Sequence, residues 1–149
     1  MKVRPPSVRV LMVALLGLLF VPVIVGADAA PAKILKVAMT AYNAVEEQTS
    51  SHPNITASGA FSNPNIVAAR SQDLSAELPF GTVIEIDSAS SSAACGYGAV
   101  SKNIGLRVIA DVMNAKMRNK IDILLPQKKI MADGTIANPA RILGLCRGV

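Results

Sequence analysis

The 149-residue chain has no tryptophan, only three phenylalanines and two tyrosines, one histidine and two cysteines. So few aromatics leave almost no platform on which bases could stack, so nucleic acid is not an expected partner. Two cysteines and one histidine, with no C-x-x-C or H-x-x-H spacing, do not make a zinc ligand set. No metal and no cofactor are expected. The G-x-S-x-G elbow, the P-loop and the H-E-x-x-H helix are all missing. Ten glycines and nine prolines without a period exclude collagen, solenoids and propellers. Beyond the first 29 residues no apolar run is long enough to span a bilayer, which excludes a multi-span membrane protein.

The beginning of the chain has the layout of a targeting segment. Lys2, Arg4 and Arg9 make a positive region, Val10 to Val25 is apolar apart from Gly17 and Pro22, and Ala27-Asp28-Ala29 supplies small residues for a signal peptidase. Cleavage is expected after Ala29, or after Ala30; the competing reading is an uncleaved anchor. The apolar run is short of the roughly 20 residues that span comfortably. Contact with membrane is therefore expected only through this segment before cleavage, with the remainder, 30–149, forming one exported domain in the periplasm or cell envelope. An outer-membrane association is compatible with this. Cys95 and Cys146 then lie in an oxidising compartment, where an even count reads either as one disulfide or as two buried thiols.

The whole chain carries +5. The charge beyond Ala29 is mild and scattered. Lys116, Arg118 and Lys120 alternate along one stretch, which reads as a solvated face or as an attraction to an anionic polymer. Strand patterns run over Lys33–Tyr42, Ile66–Ala69, Thr82–Ile86, Leu106–Ala110, Ile121–Leu125 and Arg141–Cys146. Pro126 to Met131 reads as the opening of a short helix, and Asp87 to Ser101 as a Ser/Ala/Gly-rich loop. Short strands with Gly/Pro turns and no long helix predict an all-β fold, a small closed barrel.

Chemistry, in such a chain, falls to carboxylates set against apolar strands. Asp111 follows LRVIA directly, and Asp122 lies inside IDILL. A carboxylate there is paired, hydrogen-bonded or raised in pKa by desolvation; alternatively it faces solvent on an alternating strand. A raised pKa suits general acid catalysis near neutral pH. His52 stands alone in a polar loop and carries no such expectation.

Four segments in order, MTAYN at 39–43, ITASG at 55–59, IVAA…LPFGT across 66–82 and VIADVMNAKMRNKID at 108–122, resemble the three-aspartate (3D) domain family of bacterial cell-wall proteins. That family is related to the C-terminal domain of membrane-bound lytic transglycosylase A. The resemblance covers about Val37 to Leu125. It implies a small closed six-stranded double-psi β-barrel with short helical turns. It also implies action on the β-1,4 link of peptidoglycan glycan strands with release of 1,6-anhydromuramyl products. Carried over, Asp122 is the catalytic acid and base, Asp111 its catalytic partner, and Thr40, Tyr42, Thr56, Gly59 and Asp73 contact the substrate. Where the relatives carry a Gly-Gly pair, this chain has Met113 and Asn114. The alternative is a non-catalytic module that binds cell-wall glycan or protein, because a fold alone does not secure an activity.

Overall fold

The computed structural model describes residues 33–87, 95–131 and 133–149. The expected signal segment and residues 88–94 of the Ser/Ala-rich stretch lie outside the described residues. Eight strands and two short helices follow in the order β1 (Ala38–Tyr42), β2 (Val67–Arg70), β3 (Val83–Ile84), α1 (Tyr97–Val100), β4 (Arg107–Val112), β5 (Lys120–Leu124), β6 (Lys129–Ile130), β7 (Ile136–Ala137), α2 (Pro139–Leu143) and β8 (Cys146–Arg147). The regular structure of the described residues is therefore mostly strand, as the short strand patterns and the lack of a long helix predict.

Six strands make one curled, half-barrel sheet in the order β3-β4-β2-β5-β1-β8. Two parallel pairs, β1 with β5 and β2 with β4, are joined back to back by the antiparallel pair β2 and β5. β3 and β8 close the two flanks by antiparallel pairing to β4 and β1. These two edge strands do not pair with each other among the described residues. Because side chains alternate across a strand, Met39, Ala68, Ile109, Ile121 and Ile123 all enter the main core. Leu74, Leu78, Val100, Ile104 and Leu143 close over them from the connecting segments. A second, smaller apolar cluster of Tyr42, Val67, Ala69, Ala110 and Leu124 lies apart from that core.

Three local expectations need correction. Arg141–Cys146 is not the final strand. Asn138 accepts the Ala140 N–H at 3.0 Å, Pro139 occupies the first turn, and Gly144 at φ +62° ends a five-residue helix; only then does β8 begin. Pro126 to Met131 does not open a helix. Lys129–Ile130 pairs with Ile136–Ala137 across a turn in which the Asp133 carboxylate accepts the Thr135 N–H and hydroxyl, and Gly134 takes φ +82°. Within the stretch read as loop, Tyr97–Val100 forms one helical turn.

Cys95 and Cys146 form a disulfide, which decides against two separate thiols. A bridge of this kind is compatible with an oxidising compartment. Among the described residues no helix is long and apolar enough to cross a membrane.

Candidate active site

The alternation that fills the core also builds the site. In β5, Ile121 and Ile123 are core residues, so Asp122 and Leu124 face the other way. In β1, Met39 is fully buried in the core, so Thr40 and Tyr42 share the face of Asp122. The parallel register sets Thr40 opposite Asp122, and the Thr40 hydroxyl donates to Asp122 Oδ1 at 2.8 Å.

Asp111 reaches the same face by an irregularity. Ala68 is level with Ile109, but Ala69 is level with Asp111, so Ala110 is one extra residue in β4. Without that bulge Asp111, two residues after the core residue Ile109, would point into the core. With it, Asp111 turns to the Asp122 side. Ala69 is thus the register partner of both aspartates, Asp111 on one side and Asp122 on the other. Two strand spacings separate their Cα atoms by about 10 Å. Tyr42 bridges the gap, its hydroxyl donating to Asp111 Oδ2 at 2.9 Å. Asp111 Oδ1 accepts the Ala57 and Val112 N–H groups, each at 2.9 Å. The carbonyl of the bulged Ala110 accepts the Ser58 N–H at 3.0 Å. Asp111 and its bulge therefore clamp the 55–61 loop to the sheet.

The two carboxylates differ in what they are free to do. Asp111 is held by three hydrogen bonds. Asp122 takes one, from Thr40, among the described residues. Burial pushes the Asp122 carboxyl up to about 6. The Thr40 hydroxyl opposes this, the Asp111 charge adds to it, and Lys120 opposes it. Burial, with the charges of Asp111 and Asp122, also holds the Tyr42 phenol well above its ordinary value, so it stays a donor. The arrangement is one proton-holding carboxyl beside a fixed carboxylate and a fixed phenol. Geometrically, Asp111 is a positioning residue. Asp111→Asn is expected to lower the Asp122 midpoint from about 6 toward the ordinary carboxylate value, read by carboxyl NMR titration. An unchanged midpoint would show that the two groups do not communicate.

The remaining expected residues are placed differently. Thr56 is buried, and its hydroxyl meets Ser58 Oγ at 3.0 Å and the Ala60 carbonyl at 3.1 Å. Gly59 turns the loop at φ +84°, its N–H donating to the Thr56 carbonyl. Both build the loop that Asp111 clamps. A Cβ on Gly59 meets nothing within 4 Å, so Gly59→Ala is expected to cost only the backbone strain, about 1 kcal/mol, read by denaturant titration. Asp73 lies in the helical turn Gln72–Leu74 after β2, exposed, accepting at 2.9 Å the N–H of Asn119, the residue before β5. Ser71 and that N–H hold its carboxyl below the ordinary range. The structure does not bring it onto the face of Asp122. Met113 packs against the small cluster, and its N–H donates to the Arg70 carbonyl.

Arg118 folds back onto the carbonyls of Ala115 and Met117, and Lys116 is exposed. His52 is exposed beside Ser51. No metal-binding cluster of His, Cys, Asp or Glu occurs among the described residues. Arg107 escaped the sequence reading. It is fully buried, donates to the Pro64, Leu124 and Asn103 carbonyls, and is lowered by burial to about 10. Its only sequence signal is a cation inside an apolar strand. Compared with known proteins, the chain matches no family model and no curated protein.

Proposed function

We propose that the protein cleaves the β-1,4 link between N-acetylmuramic acid and N-acetylglucosamine in peptidoglycan, in the manner of a lytic transglycosylase. The observation that carries this reading is Asp122: a half-buried carboxyl that holds its proton to about pH 6, bonded to Thr40 and flanked by the fixed Asp111–Tyr42 pair. Each of the four sequence segments that resemble the three-aspartate family contributes a residue on or against this face, Thr40 and Tyr42, Ala57, Ala69, and Asp111 with Asp122, which supports the same reading. Two parallel strand pairs joined by β2 and β5 are consistent with a double-psi barrel, and its closure is part of the proposal. So are export to the cell envelope and glycan strands as the partner.

The chemistry needs one carboxyl. Protonated Asp122 gives its proton to the glycosidic oxygen as the C1–O bond breaks. The muramyl 6-hydroxyl attacks C1, and its proton returns to Asp122. A new C1–O6 bond replaces the old one, no water is consumed, and the acid is regenerated. A second carboxylate to activate water, as in ordinary glycoside hydrolysis, is not required. Thr40 orients the carboxyl.

Purified protein lacking residues 1–29, incubated with isolated sacculi between pH 5 and 7, is expected to release 1,6-anhydromuramyl fragments detectable by mass spectrometry. Co-sedimentation with sacculi without any such fragments would replace catalysis by glycan binding.

A further inference from the structure

A cavity of about 780 Å³ opens where β1 and β5 end, lined by the loop after β1, the connection after β5, and the segment from β7 into α2. Its volume falls within the roughly 300–1,000 Å³ of small-molecule sites. Three charged side chains line it from segments distant in sequence: Glu47, Lys128 and Arg141. None of the three makes an ion pair or a side-chain hydrogen bond among the described residues. Charges of both signs are thus present without neutralising one another. Val45 and Ile136 supply apolar wall between them, and Ile136 is 71% exposed.

One buried side chain holds the backbone around the cavity. Buried Asn43 donates to the Leu125 carbonyl at 2.8 Å and accepts from Asn138 Nδ2 at 2.7 Å, and its N–H donates to Gln48 at 2.9 Å. Asn43 ties β1, β5 and α2 together at the cavity, so the backbone around it is held, and binding has to order only the Glu47, Lys128 and Arg141 side chains. Asn43 follows Thr40 by three residues, about 10 Å along the strand. The cavity is therefore within reach of a polymer held at Asp122.

We propose that this cavity binds a short peptide bearing a free carboxylate and a free amine, the peptide arm of the same cell-wall polymer. Arg141 and Lys128 take the carboxylate, Glu47 the ammonium, and the small aliphatic side chains lie on Val45 and Ile136. The polymer's identity rests on the function proposed above; the peptide chemistry rests on the cavity alone.

The test is an NMR titration of the domain 30–149 with N-acetyl-alanyl-lysyl-alanine, whose lysine amine and C-terminus are free, with its C-terminal amide, and with its form acetylated on the lysine amine. The free peptide is expected to bind saturably and to shift Val45 and Asn138 signals. The amide is expected to bind at least tenfold more weakly. Arg141→Gln is expected to erase the difference between acid and amide, and Glu47→Gln the difference between free and acetylated peptide, each at unchanged Tm. Asp122→Asn is expected to leave the titration as it was. No saturable binding up to about 10 mM, or equal binding of acid and amide, would overturn the proposal. Sacculus digestion reads Asp122 and the titration reads the cavity, so either can fail while the other holds.

Discussion

Asp122→Asn is expected to abolish release of anhydromuramyl fragments, a loss of about 10²–10⁴-fold or more, while the fold persists. The substituted amide keeps the acceptor that Thr40 uses at 2.8 Å and has nearly the volume of the carboxyl it replaces. What it removes is the transferable proton. Because burial places the Asp122 carboxyl at about 6, the acid form is half populated near pH 6. Turnover of soluble glycan chains is expected to rise as pH falls through about 6 and to level off below about 5. The residual rate of Asp122→Asn should be flat across that range. A wild-type profile with no limb near pH 6 would show that another group supplies the proton, and the proposed role of Asp122 would go with it.

The same substitution is expected to stabilise the protein, in a direction fixed by the raised pKa. The carboxyl takes up protons more readily folded, at about 6, than unfolded, near 3.8. Between those values the native state binds more protons, so stability falls as pH rises from about 4 to 6 and is constant above. A difference of about two in pKa corresponds to at most about 3 kcal/mol lost at neutral pH. The Asp122→Asn variant carries no such burden. Its Tm should exceed that of the wild type at about pH 7.5 and match it below about pH 4. A residue that lowers stability at working pH while abolishing activity when replaced marks a site kept for chemistry.

Only part of this face is legible in the sequence. Asp122 stands out as a carboxylate inside IDILL, whereas AMTAY alternates too imperfectly to single out Thr40 and Tyr42, which enter only through the resemblance; it is the folded strands, with Met39, Ile121 and Ile123 in the core, that put Thr40, Tyr42 and Asp122 together on the opposite face. Asp111 is different. The bulge at Ala110 that turns it toward Asp122 is a single unpaired residue with no signature in RVIADV. Strict alternation would send it into the core. The helix over Pro139–Leu143 had its signals in plain view, Asn138, Pro139 and Gly144, but five residues are too few for a helical period to show. Asp133 and Gly134 likewise announced a hairpin whose strands are only two residues each. The cavity beside Asn43 was invisible for another reason: its walls come from segments about 90 residues apart in sequence, and only the folded chain brings them together.

Removing the disulfide is expected to have the largest effect on stability. The bridge closes a loop of 51 residues, for which chain entropy alone gives about 4 kcal/mol, within the usual range of roughly 2–5. Its location argues for the upper part of that range. Cys146 lies in β8, an edge strand with only two register pairs, both to β1. Val37 then exchanges backbone hydrogen bonds with Gly148 and Val149 just beyond it. Beside Cys95, the Gly96 N–H donates to the Leu143 carbonyl, and a Cβ at Gly96 would collide with the Ile142 carbonyl. The bridge thus joins two elements that are each weakly held alone and that pack tightly only together. Releasing it frees the edge of β1, the strand that carries Thr40 and Tyr42. The Cys95→Ser/Cys146→Ser double variant is expected to melt about 10–20 °C lower than the oxidised protein in calorimetry. Its hydrogen exchange should rise first in β8 and along β1. A drop of only about 2–3 °C would show that core packing around Leu143 holds the tail without the bridge.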